Sequence, residues 1–208
     1  MDPENRFTTD FEAASPSIVK SIRQRDLLNA WLRLFARGGR VPCRDDFRPE
    51  RMDEELPDLV FLRVERGPGS PRFIIESDGI RPADAHGSAG KGRYLDEYLG
   101  PKLGPSAVAV YEECYRRARP AYTISMVDDI YGRSVDYERL LLPFSEGDGV
   151  NTIIASLKTI SESGGFEIRN LMRAHLTAPV FKLRTIIDRD LAHRRPGLIP
   201  PGDIIELI

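Results

Sequence analysis

Residues 121–160 read AYTISMVDDIYGRSVDYERLLLPFSEGDGVNTIIASLKTI, and their rhythm decides the fold class. In 121–127, Tyr122, Ile124 and Met126 alternate with Thr123 and Ser125, the period of a strand. The runs 135–144 and 152–160 are apolar, rich in branched side chains and of strand length. Tyr131-Gly132-Arg133-Ser134 and Ser145-Glu146-Gly147-Asp148-Gly149 separate them, and both are of hairpin length. Three strands so joined make an antiparallel meander.

The elements before the meander fix the rest. Gly104-Pro105 opens a helix in which Ala107, Tyr111, Cys114, Tyr115 and Ala118 line one face, and Arg119-Pro120 ends it. Residues 59–65 and 72–77 read as two strands around the turn Gly67-Pro68-Gly69-Ser70-Pro71. Between this hairpin and the helix, 78–103 is cut by glycines into short helical pieces. Further upstream, Ser21 and Gln24 have capping-box spacing, and Leu28, Trp31, Leu32 and Phe35 recur at helical spacing. Gly38-Gly39 stops that helix. Two strands, short helices, a longer helix and three meandering strands define an α+β fold with an antiparallel sheet.

Composition bounds the function. The chain has 208 residues, a formal net charge of −2 and 41% hydrophobic residues, ordinary values for a globular protein. A balance of 30 basic and 32 acidic side chains argues against a surface built wholly for nucleic acid. The apolar runs, such as 107–111, are far too short to span a membrane, and the acidic start does not resemble a signal peptide. A cytoplasmic protein is expected. Two cysteines, Cys43 and Cys114, make neither a disulfide framework nor a zinc site.

The familiar chemistries mostly fail. Gly87-Ser88-Ala89-Gly90-Lys91-Gly92 lacks the first glycine and the Ser or Thr of a phosphate-binding loop. His86, His175 and His193 stand far apart, so no metal site is expected. The acidic pairs Asp45-Asp46 and Asp128-Asp129 suit turns better than acid–base work. From 166 to 195, seven bases (Arg169, Arg173, Lys182, Arg184, Arg189, Arg194, Arg195) face three acids (Glu167, Asp188, Asp190). A solvated helix face is the default for that excess, and contact with an acidic partner or nucleic acid the alternative. The most telling cluster is Tyr111, Cys114, Tyr122, Tyr137 and Arg139, with Phe73, Ile124 and Met126 beside it. If the 105–118 helix crosses the sheet, these residues surround a small cavity suited to orienting a ligand. They equally fit a packed core in which Arg139 pairs with an acid.

Several strings together resemble a PAS domain, in particular the bacterial subfamily of short, mostly stand-alone members. They are Leu28-Asn29-Ala30-Trp31-Leu32-Arg33-Leu34, then Val41-Pro42-x-Arg44-x-Asp46, then Leu56-Pro57-Asp58-Leu59-Val60-Phe61-Leu62. Gly92-Arg93-Tyr94-Leu95-Asp96-Glu97, Arg119-Pro120-Ala121-Tyr122 and Tyr137-Glu138-Arg139-Leu140-Leu141-Leu142-Pro143-Phe144-Ser145 continue the likeness over roughly 24–160. The resemblance implies a five-stranded antiparallel sheet with helices on one face, used for sensing or protein contact rather than catalysis. It implies no haem and no flavin, because residues 105–118 have no His and the Asn-Cys-Arg-Phe string is absent.

The expected organisation is a flexible arm over 1–20, a PAS-like domain with its flanking helix over 21–160, and a C-terminal extension over 161–208. Within the extension, 180–190 fits either helix or strand. The expected function is a non-enzymatic signalling module that binds a small ligand, a protein partner or both. The competing readings are an enzyme using the Tyr/Arg pocket and an adaptor using the basic segment. Leu27 and Leu34 make the first helix's stripe, with Leu28, Trp31 and Phe35, broader than one sheet face needs. A homodimer through that helix is therefore expected.

Overall fold

The computed structural model describes residues 11–160, 165–174 and 179–190. In chain order the elements are β1 (Glu12–Ala14), α1 (Ile22–Gly38), α2 (Met52–Glu55), β2 (Leu59–Glu65), β3 (Arg72–Asp78), α3 (Ile80–His86) and α4 (Leu95–Arg117). They continue with β4 (Ala121–Asp128), β5 (Ser134–Phe144), β6 (Thr152–Ile160), α5 (Leu171–Ala174) and β7 (Val180–Ile187). One sheet in the order β1-β7-β4-β5-β6-β2-β3 contains all seven strands. Its five consecutive strands β3, β2, β6, β5 and β4 are the antiparallel core expected from the sequence.

Two strands extend that core. Residues 180–187 settle as strand and pair antiparallel with β4, while β1 lies parallel to β7. The described part of the 1–20 arm is thus ordered, which corrects the expectation of a loose one. Short though β1 is, Thr185 Oγ1 donates to the Glu12 carbonyl at 2.6 Å and the Asp188 N–H to that of Ala14 at 2.8 Å. The expectations for 161–164, 175–178 and 191–208, with His175, His193, Arg194 and Arg195, lie outside the described residues.

Helices cover both faces of the sheet. Strand alternation sends Leu59, Tyr122, Ile124, Leu140, Leu142, Phe144 and Ile154 to one side, where α1 packs with Leu27, Leu28 and Trp31. Ala121, Val127, Tyr137, Leu141 and Ile153 point to the other side, against Leu95, Leu103, Val110, Tyr111 and Cys114 of α4. Ser21 caps α1, accepting from the Gln24 N–H at 3.4 Å. Gln24 does not reach back to complete a capping box. It is buried, and its amide donates to the Ser156 carbonyl at 2.9 Å, pinning the helix to β6.

The broad stripe on α1 has a different cause from the one expected. Leu27, Leu28 and Trp31 are each at most 1% exposed inside a single chain. Trp31 stacks on Phe35 with ring centres 5.2 Å apart, and its indole N–H donates to the Pro143 carbonyl at 2.7 Å. The widened sheet absorbs the surplus flank, because Leu183 and Ile187 of β7 join the same cluster. Leu34 and Phe35 stay half-buried, and the Arg119 guanidinium covers the Phe35 ring at 4.4 Å. The expectation of a free apolar flank on α1 is therefore corrected.

On the opposite face, α4 begins ten residues earlier than Pro105 and is bent. Gly100 lies at φ 70°, a left-handed conformation that glycine adopts without penalty, and Pro101 follows it. The bend lays Leu99 and Leu103 over the centre of the sheet. The segment before β7 closes the same side: the Asn170 N–H donates to the Asp84 carbonyl and the Glu167 N–H to Asp129. Asp129 also accepts from the N–H groups of Tyr131 and Arg133 and from the Arg133 guanidinium. Burial opposes ionisation of this carboxyl, but those donors prevail and hold it well below the usual carboxylate range.

Candidate ligand-binding site

The pairing register decides which candidates meet. Across β4 and β5, Thr123 stands opposite Arg139 and Ser125 opposite Tyr137, whereas Tyr122 faces Leu140 and Ile124 faces Glu138. Opposed residues share a face, so Tyr137 and Arg139 join Thr123 and Ser125 beneath α4. Phe73, Tyr111 and Cys114 meet them there, with the Phe73 and Tyr111 rings 5.6 Å apart. Tyr122, Ile124 and Met126 point to the α1 side, which corrects the cluster drawn from the sequence. The alternation was legible but its polarity was not, because β4 is buried on both faces.

Tyr122 has a role of its own on that side. Its hydroxyl accepts from the Lys20 N–H at 3.2 Å and bonds the carboxyl of buried Glu138. Burial pushes the Glu138 carboxyl upward; Tyr122 and the Ser21 N–H pull the other way without cancelling it.

A partly enclosed cavity of about 10 Å³, the space of a single water, lies beside Arg139. Leu99, Leu103, Ser106 and Ala107 of α4 roof it, Ser125 and Arg139 floor it, and Met172, Pro179 and Phe181 close its side. Arg139 is 6% exposed. Its guanidinium lies 5.8 Å from the Tyr111 ring centre and 5.9 Å from that of Tyr137, and its Nε has no hydrogen-bond partner. The Tyr137 hydroxyl and Thr123 Oγ1 are also buried and unpartnered.

Among the described residues, the other buried acids each have a hydrogen-bond or ion-pair partner. Asp58, from the Leu-Pro-Asp string, binds Arg81 and Lys158 at 2.5 Å each; Glu55 binds Lys158 at 2.8 Å and Arg23 at 3.1 Å. Asp129 has Arg133, and Glu138 has Tyr122 and Ser21. Among the described residues, Arg139 is the buried charged side chain left without a hydrogen bond or ion pair. A cation taken out of water without compensation costs several kcal/mol, so the arrangement is poised to accept an acceptor group.

The site is poorly made for nucleophilic chemistry. Burial pushes the Cys114 thiol far upward, against one N–H from Ala121, and pushes the Tyr111 and Tyr137 hydroxyls upward against the Arg139 charge. Sequence reasoning missed Thr123, Ser125, Met172 and Phe181. The first two were assigned to the wrong face, and the others sit on a segment whose structure the pattern left open. Nor do the bases of 166–195 form one surface among the described residues: Lys182 pairs with Asp136 at 2.5 Å, while Arg184 stacks on Phe181 at 3.7 Å.

The order of these five strands, the helices over them and the pocket beneath α4 agree with the comparison of sequences. The PAS domain family model matches residues 19–157, well over half of the chain, and the chain belongs to the PAS domain family. Membership places it among sensory and signalling modules. Comparison with curated proteins and with solved structures finds no match. Among the described residues, no helix is long and apolar enough to cross a membrane.

Proposed function

We propose that this PAS domain is a non-enzymatic sensor whose signal is a small molecule seated between α4 and the sheet. The observation that carries this reading is Arg139, buried between the Tyr111 and Tyr137 rings with no hydrogen bond or ion pair of its own. Apolar walls with a few convergent polar groups are the usual build of a small-molecule site. A cavity of about 10 Å³ admits only a water-sized group, so occupancy requires the roof to move. The roof has the means, since the bend at Gly100-Pro101 separates the first turns of α4 from the rest. Displacing Leu99 and Leu103, or Met172 and Phe181 beside them, converts binding into a shift of outer elements, which a partner can read.

Denaturing the purified protein and analysing the released small molecules by mass spectrometry tests this. A stoichiometric compound from the wild type that is depleted from Arg139→Met supports the reading. A compound retained equally by both, or ligand-free protein that no member of a broad metabolite collection stabilises, contradicts it.

A further inference from the structure

We infer that the pocket takes a small aliphatic dicarboxylate, one carboxylate on Arg139 at its floor and the other on Arg184, two strands away on the same face of the sheet. This rests on the reading that the pocket binds a small molecule.

The pairing register brings the two arginines together. Thr123 of β4 lies between them, opposite Arg139 on β5 and opposite Arg184 on β7. All three therefore form a row across adjacent strands on the face that α4 covers. Two strand spacings of about 4.8 Å put the two arginine backbones roughly 10 Å apart. Arg184 is half-buried and its Nε is buried without a partner, as is that of Arg139. Its guanidinium lies 3.7 Å from the centre of the Phe181 ring, and Phe181 lines the cavity beside Arg139.

Nothing on this face of the central strands neutralises the pair. The inward residues of β4 and β5 here are Ala121, Thr123, Ser125, Val127, Val135, Tyr137, Arg139 and Leu141, without a carboxylate among them. Glu113 on α4 is taken by Arg116 and Arg117, and Asp136 on the opposite face by Lys182. Burial alone shifts Arg184, downward, with no acid opposing it.

Charge and shape then select the ligand. Two unmatched guanidiniums call for two negative charges, and each planar fork fits a carboxylate through paired N–H donors. Thr123 separates the two forks, so the charges belong on separate groups rather than on one phosphate. Leu103, Ala107 and Met172 between them suit a short hydrocarbon spacer, and the unpartnered Thr123 and Tyr137 hydroxyls offer further donors.

Calorimetric titration of the full chain with succinate, glutarate, butyrate, succinamide and inorganic phosphate tests the assignment. One of the two diacids should bind about tenfold or more tighter than butyrate, with succinamide and phosphate weaker still. Arg184→Gln should reduce diacid affinity to that of butyrate and leave butyrate unchanged, whereas Arg139→Gln should lose both. Arg184→Lys, keeping charge without the fork, should fall between. Trp31 fluorescence shows whether each variant is folded. Succinamide or phosphate binding as well as the diacids, or an Arg184→Gln protein that binds diacid normally, overturns the assignment. If no probe binds but mass spectrometry releases a compound of other chemistry, the dicarboxylate fails and the pocket stands. If neither happens, both fail.

Discussion

Thr123 and Arg139 stand directly opposite each other on β4 and β5, and both Thr123 Oγ1 and Arg139 Nε are buried without a hydrogen-bond partner. A guanidinium only donates, so the two groups could satisfy each other only by a bond from Arg139 to the Thr123 hydroxyl oxygen, and that bond is not made. The pair is therefore stable only as far as the rest of the fold carries its cost, and the fold is well equipped to do so. Separate hydrophobic clusters pack on the two faces of the sheet, so the α1 side can stabilise a structure whose α4 side leaves these groups unbonded.

Trp31 is the test of that division. It is the single tryptophan, fully buried, stacked on Phe35 and bonded to the Pro143 carbonyl. Trp31→Ala should lower the unfolding free energy by about 3–5 kcal/mol in denaturant titration followed by circular dichroism. A loss below about 1 kcal/mol would mean that α1 is an attachment rather than part of the core.

Gly79 is fixed by space. Its backbone is extended, at φ −68°, so no special conformation is required. A methyl group there would run into the carbonyl oxygens of Leu56 and Pro57, and the Gly79 N–H donates to the Leu59 carbonyl at 2.7 Å. Gly79→Ala should cost about 2 kcal/mol and shift the Leu-Pro-Asp turn that holds Asp58. A melting temperature unchanged from the wild type would show that the turn yields freely.

Glu138 supplies a pH dependence. Its carboxyl protonates more readily in the folded protein than in the unfolded chain, because burial outweighs the bonds from Tyr122 and Ser21. The folded state then holds the proton longer. The stability this group contributes is complete below the ordinary value of 4.5 and is lost as pH rises through the higher folded value. Glu138→Gln keeps the shape of the protonated form. The variant should gain stability relative to the wild type between about pH 4 and pH 8, read by urea unfolding at both. A stability difference independent of pH would assign the carboxyl an ordinary environment.

Much of this fold was legible in the residues. The limits of β2 and β6, the meander, the cap at Ser21 and the stop at Gly39 follow from local pattern, because turn and cap residues act within a few positions. The bend at Gly100 escaped because Gly100, Pro101, Gly104 and Pro105 each look like an interruption, and only tertiary packing shows one helix running through them. The strand at 180–187 was open for the same reason: an eight-residue apolar run fits either state until a sheet edge claims it. At the site, Tyr111, Tyr137 and Arg139 were visible as residue types. Which of them share a face depends on register, and register is a property of two strands rather than one. Tyr122 went to the wrong side, and Arg184 was read only as one of a run of bases rather than as a neighbour of Arg139, for that one reason.

The stability of the protein stripped of ligand tests the central claim most directly. Wild type and Arg139→Met, both refolded from denaturant after dialysis, are compared by unfolding in urea. An arginine that waits for an anion costs stability while the site is empty, and methionine fills similar space without a charge. The account predicts an Arg139→Met protein that is more stable than the wild type by about 1 kcal/mol or more and no longer responds to ligand. An Arg139→Met protein less stable by roughly 2 kcal/mol or more would show that Arg139 holds the fold together, and would contradict the account.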